Sequence, residues 1–292
     1  MTAVIPFGER LAAAFAATGR LCVGIDPHAG LLDRWGLPDS AEGAREFGLR
    51  VVGAAAGRAG VVKPQVAFYE RHGVAGYAAL ERVLREARDA GLEVIADVKR
   101  GDIGTSVEAY GEAWLTPGSS LEADAITVSP YQGLGSLEAV LRLAESAGKG
   151  VFVLAATSNP EAAAIQRAVL QQSSRAGASV GGAIVDGVTA WNQGVPDASG
   201  RGMGSIGVVI GATVDLVAAG IDRDGEPPRP GLPVLAPGFG HQGAAVSEYR
   251  GIFGALAGGV LVSESRSILG AGPDGLADVI ERRVDEVEAA SA

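Results

Sequence analysis

"EVIADVKRGDIGTS", residues 93–106, begins as a buried strand and ends in a crowd of charge. Glu93-Val94-Ile95-Ala96 has the apolar, β-branched character of an interior strand, and Asp97, Lys99, Arg100 and Asp102 gather at its far end. Helices and loops carry charge readily; the end of an apolar strand does not. On either side lie YAALERVLREARDAG (77–91) and SLEAVLRLAESAG (136–148). Both repeat apolar residues at three- and four-residue spacings and close on glycine, which predicts amphipathic helices.

The same alternation runs along the chain. Strands are predicted at LCVGI (21–25), GVVKP (60–64), LEVIADV (92–98) and ADAITVS (123–129). Four more are predicted at GVFVLAA (150–156), IGVVIGA (206–212), PVLAPG (233–238) and GVLVSES (259–265). Strands separated by helices pair in parallel with right-handed crossovers, which leaves an open doubly wound sheet or a (β/α)8 barrel. Eight units in a chain near the usual barrel length favour the (β/α)8 TIM barrel, and no GxGxxG follows the first strand, where a dinucleotide fold would carry it. Residues 157–205 form an elaborated connection between strands 5 and 6, with helical pieces at PEAAAIQRAVLQQSSRAG and GGAIVDGVTAWNQGV. RDGEPPRPG (223–231) reads as an exposed turn-rich loop, and the C-terminal ADVIERRVDEVEAA as a solvated amphipathic helix closing the barrel base. No linker divides the chain, so residues 1–292 are expected to form one domain.

Composition narrows the function. Of 292 residues, 47% are hydrophobic and 20% charged, the balance of a globular chain with a sizeable core. The formal net charge of −10 argues against nucleic-acid binding and requires that an anionic ligand be met by a few local cations. The N-terminus lacks a signal-peptide pattern, and no apolar run is long enough for a membrane span. The single cysteine, Cys22, fits a reducing cytoplasm and a buried packing role, and Trp35, Trp114 and Trp191 read as packing residues.

Barrel sites lie at the carboxyl ends of the strands. Those ends supply Asp26, Lys63, Asp97, Lys99, Ser158, Gln242 and Arg266 in order. Asp97 and Lys99 are two apart in an extended segment and leave on one face, which Lys63 can approach from the neighbouring strand. Asp102, three residues beyond Lys99, need not point into the same pocket. Burying such ions costs several kcal/mol each without gaining stability over apolar residues, so a functional site explains the cluster better than a structural one. A tightly held metal is not expected, because a cation would sit beside two ammonium groups, and His28, His72 and His241 show no metal-ligand spacing. APGFGHQG (236–243) can bring backbone N–H groups close to an anion, with Arg266 one strand later offering a fork of donors. A phosphorylated substrate is the leading reading.

DVKRGDIGTS resembles the D-x-K-x-x-D signature of the orotidine 5′-phosphate decarboxylase suprafamily. GIDPH, VVKPQVAFYE, ATSNP, APGFGHQG and SESRS resemble its other blocks in order, from about residue 20 to about 270, in the manner of its longer bacterial branch. The resemblance implies a carbon–carbon lyase that converts orotidine 5′-phosphate to uridine 5′-phosphate, the last step of de novo pyrimidine nucleotide synthesis, without metal or cofactor. Lys63, Asp97, Lys99 and Asp102 would form the charge array, with Asp102 and Ile103 reaching the partner's site in a homodimer. Asp26 and Lys63 would hold the ribose, Ser158 the pyrimidine edge, and Gln242 and Arg266 the phosphate. Ser106 stands where many members have threonine. Lys99 would stabilise and protonate a carbanion at C6. Two alternatives remain. One is a Mg-dependent sugar-phosphate decarboxylase or aldolase of the same suprafamily, although those enzymes carry a carboxylate near the position of Lys63. The other is a catalytically silent barrel that binds a nucleotide.

Overall fold

The computed structural model describes residues 4–172, 174–195, 202–240 and 243–291. Eight parallel strands close into a ring in chain order: β1 Leu21–Ile25, β2 Val61–Pro64, β3 Glu93–Arg100 and β4 Ala125–Val128, then β5 Gly150–Ala156, β6 Ile206–Ile210, β7 Val234–Pro237 and β8 Val260–Glu264. β8 returns to β1 through Leu21↔Val262 and Cys22↔Ser263. This is a (β/α)8 TIM barrel. The strand positions match the periodicity in the sequence to within two residues at each end.

Alternation along the strands builds two cores. Val23, Val62, Val94, Ile126, Val151, Val208, Val234 and Val262 face outward and pack under the helices. Cys22, Val61, Ile95, Ala125, Phe152, Val209, Leu235 and Leu261 fill the bore. Two residues further along, the same inward rows become polar at Lys63, Asp97, Thr127 and Ser263. The period of two therefore sets an apolar floor beneath a polar mouth.

The floor is completed from outside the sheet. Helix Phe7–Thr18 places Phe7, Leu11 and Phe15 into the bore core. Phe7 meets Phe152 edge-on with ring centroids 6.0 Å apart. Gly150 is required there, because a Cβ would stand 2.3 Å from the Phe7 ring. Arg10 on the same helix bonds Glu93 at 2.6 Å, Asp124 at 3.0 Å and the Gly148 carbonyl at 3.2 Å, fastening the plug to the entry ends of three strands.

Two expectations are corrected. The C-terminal helix, Leu276–Ser291, does not close the base; it packs outside, against helix Ala41–Ala55 and the turn Val246–Glu248. Its buried residues, Leu276, Ile280 and Val287, form a single narrow stripe suited to a flat neighbour, whereas filling the bore takes the bulky Phe7 and Phe15. Within 157–205, the first helical piece is only a 3-10 turn, Pro160–Ala162, and one helical turn, Ala163–Gln166. Neither buries a residue, and a helix without a face to bury gains little from forming. The second piece does form a helix, Val180–Gly194, capped by Ser179, whose hydroxyl accepts from the Gly182 N–H at 2.9 Å. Among the described residues no helix is long and apolar enough to cross a membrane.

Candidate active site

The barrel mouth is organised by an irregularity in β3. Its pairing with β4 runs in register to Ala96↔Ile126 and resumes at Arg100↔Val128, so β3 carries extra length over Asp97–Lys99. Lys99 takes up the slack at φ 47°, alone among described non-glycine residues in having positive φ. That conformation costs an ordinary side chain roughly 1–2 kcal/mol. It is held on one side by the Lys99 N–H, which donates to Thr127 Oγ1 at 3.0 Å. On the other, Arg100 donates to Glu70 at 2.7 Å. The expectation of a regular extended segment at Lys99 is thus corrected: a bulge, not simple alternation, aims its side chain.

Asp97 is the hub. Its Oδ1 meets Lys99 Nζ at 2.7 Å and accepts from Thr127 Oγ1 at 2.7 Å. Its Oδ2 meets Lys63 Nζ at 3.1 Å and accepts from Gln65 Nε2 at 2.8 Å. The Asp97 and Lys63 side chains are 8% and 10% exposed, whereas Lys99 is 47% exposed, so Lys99 is the member of the row most open to the cavity. Burial alone would raise the Asp97 carboxyl; Lys63, Lys99 and the hydrogen bonds outweigh it and hold the group well below the usual carboxylate range. Burial alone would lower the Lys63 ammonium, but Asp97 and Asp26 outweigh it and push it above its ordinary value. Asp97 and Lys63 are therefore ionised throughout the physiological range.

Above the row lies a cavity of about 290 Å³. Asp26 enters it from beyond β1; its Oδ2 accepts from Ser265, and its buried Oδ1 has no protein partner. Arg266, which is exposed, lines it too, together with Gly238 and Phe239 from the loop after β7. Gly238 and Gly240 adopt φ 115° and 66°, which turns that loop tightly over the rim.

Of the residues singled out from the sequence, Asp26, Lys63, Asp97, Lys99 and Arg266 converge on this cavity. Asp102 does not line it; its Oδ1 accepts from the Ile103 N–H at 2.9 Å in the loop beyond β3. Ile103 is 61% exposed, and Ser106, in the first turn of helix Gly104–Leu115, is exposed as well. Ser158 is exposed and lines a smaller neighbouring cavity of about 150 Å³ with Asn159, Gln166 and Thr213. Gln242 lies outside the described residues. Sequence reading passed over Thr127, Gln65, Thr157 and Glu264, all of which line the main cavity. Gln65 and Thr127 follow inward-facing Lys63 and Ala125 by two positions, so strand parity would have found them. Among the described residues, no three His, Cys, Asp or Glu side chains gather as a metal-ligand set.

The geometry coincides with a clear kinship. The family model of the orotidine 5′-phosphate decarboxylase / HUMPS family matches residues 19–277. Orotidine 5′-phosphate decarboxylase from Nocardioides sp. is 47% identical over 285 residues, covering 97% of this chain and 99% of its own length. The same-named protein from Corynebacterium glutamicum is 48% identical over 271 residues, 92% of each chain. A crystal structure from Streptomyces avermitilis, assigned to orotidine 5′-phosphate decarboxylase, superposes with a TM-score of 0.90 at 43% identity, covering 100% of this chain and 98% of that one. Leishmania donovani OMP decarboxylase gives 0.74 at 28% identity, with 98% of each chain covered. A charged row across a barrel mouth, a family match that spans the barrel and relatives alike over nearly their full length lead to one conclusion: the chain belongs to the orotidine 5′-phosphate decarboxylase / HUMPS family.

Proposed function

We propose that this chain decarboxylates orotidine 5′-phosphate to uridine 5′-phosphate, the step that ends de novo pyrimidine nucleotide synthesis. The observation that carries the reading is the Lys99 ammonium, half-exposed to the cavity and held at 2.7 Å by Asp97. In the reaction the C6–carboxylate bond breaks, its electron pair stays on C6, and CO2 leaves. The pair lies in the ring plane and is not delocalised. A fixed cation aimed at that carbon lowers the barrier without solvent reorganisation. Lys99 then gives C6 a proton from Nζ and regains one from water.

The other residues bind and orient. Asp97 orients both lysines and keeps the buried Lys63 charged. The unpartnered Asp26 Oδ1 and the Lys63 ammonium suit ribose hydroxyls. Arg266 and the Gly238–Gly240 turn suit the 5′-phosphate, whose binding energy can help to organise the site. Gln242 and Ser158 are proposed to join the phosphate and the base. Asp102, Ile103 and Ser106 are proposed to serve the site of a second copy, because Asp102 stays away from its own cavity and an isoleucine 61% exposed beside it calls for cover. Metal-assisted chemistry is disfavoured by Lys63, whose ammonium lies 3.1 Å from Asp97, where a cation held by Asp97 would have to sit.

The test is spectrophotometric: loss of the orotate chromophore with and without chelator. Wild-type protein should consume the substrate in both, and Lys99→Ala should lower kcat by more than about 10³-fold with the fold intact. Retained turnover in Lys99→Ala ends the mechanism, and chelator-sensitive turnover returns the metal-assisted alternative.

A further inference from the structure

One carboxylate at the rim is unexplained by the reaction. Glu264 ends β8 with its side chain 0% exposed, yet the residue lines the cavity beside Arg266. Its Oε2 accepts from the Ser267 hydroxyl, and its Oε1 accepts from the Arg283 guanidinium. Arg283 belongs to the outer helix Leu276–Ser291 and also bonds Glu286. The Gly240 turn rests on the same carboxylate: a Cβ on Gly240 would stand 3.3 Å from Glu264 Oε2 and 3.2 Å from the Ser267 side chain. A buried negative charge therefore lies directly under the turn to which the phosphate is assigned.

An anion beneath an anion subsite repels its ligand unless a cation cancels it. Nothing in the packing of β8 requires a carboxylate here, since the other outward-facing positions on that strand are Val260 and Val262. What Glu264 supplies is a fixed acceptor that ties Ser267 to the underside of the Gly240 turn. Arg283 makes that tie compatible with a phosphate overhead. We propose that Glu264 and Arg283 are a positioning pair for the phosphate subsite, Glu264 fixing the rim and Arg283 neutralising it without touching substrate. The inference rests on the proposed binding of phosphate at Arg266.

The experiment measures KM and kcat for orotidine 5′-phosphate and inhibition by inorganic phosphate. Arg283→Gln should raise KM and the phosphate inhibition constant together, by about tenfold, with kcat within about twofold. Arg283→Lys should retain most of the affinity. The double variant Glu264→Gln/Arg283→Gln, which removes both charges, should return both constants to within about threefold of wild type. It also carries the test if an unpaired buried carboxylate unfolds Arg283→Gln. A wild-type KM in a folded Arg283→Gln overturns the proposal, as does a folded double variant with no recovery. Arg266→Ala separates the two readings. If it leaves phosphate inhibition unchanged, the subsite assignment itself falls. If inhibition depends on Arg266 and not on Arg283, only the pair is refuted.

Discussion

Asp97 accepts two ammonium groups, a hydroxyl and an amide on two oxygens, and each contact was legible to a different degree. Lys63 and Lys99 stood out because charge is conspicuous at the end of an apolar strand. Thr127 and Gln65 did not, since a threonine in a β-rich run and a glutamine after a proline are unremarkable until strand parity assigns them a face. The conformation of Lys99 was not legible at all: no glycine or asparagine marks the left-handed position, and the bulge exists because Thr127 and Glu70 hold it from other elements. Asp97 also has a structural duty. Replacing it with alanine leaves the buried Lys63 ammonium facing only Asp26, and removing one partner of a buried pair costs about 3–5 kcal/mol. Urea unfolding of Asp97→Ala at pH 7 should show a loss of that size, together with the loss of turnover.

The elements that bury one face were readable from the sequence, and those that bury none were not. All eight strands follow from runs of β-branched residues, whereas the helical pattern at 160–177 had spacing without a partner surface. Which end of the barrel the plug Phe7–Thr18 seals depends on the bore, which no local pattern describes. Leu11, fully buried in that bore, should cost about 2–5 kcal/mol on replacement by alanine, read as a lowered urea midpoint. The plug's ion cluster adds a pH dependence. Burial and the neighbouring Asp124 push the Glu93 carboxyl up to about 7, with Arg10 recovering only part of the shift. The folded chain thus binds this proton more tightly than the unfolded chain does. The stabilisation is complete below the ordinary value of 4.5 and is lost as pH rises through about 7. Wild-type melting temperature should fall across that window, and Glu93→Gln should flatten the slope; an unchanged slope would remove Glu93 as its source.

At the scale of the whole molecule, the residue that fits its own cavity least well makes the sharpest prediction. If Asp102 serves a second copy, mixing Lys99→Ala chains with Asp102→Ala chains builds heterodimers with one intact site out of two. After full subunit exchange, activity should rise from near zero to about a quarter of the wild-type rate. No recovery, with exchange verified by differently tagged chains, would assign each site to a single chain. The motif order along the chain foretold the family because the strand ends that carry it recur at barrel spacing, but a sequence lists residues without saying whose pocket they enter.

The floor of the barrel sets a schedule for folding. Phe7, Leu11 and Phe15 are synthesised before any strand, yet the surface that receives them includes Phe152, Met203, Leu235 and Leu261. During translation these aromatic and aliphatic side chains have no native berth until the last strand arrives. The contacts that shelter them join opposite ends of the chain and pay a large loop-closure entropy. This segment therefore stays sticky and unsheltered until all eight strands have emerged. Seating that segment should be among the latest events, occurring with or after closure of the ring, and until then it is a natural foothold for a chaperone or a site of self-association.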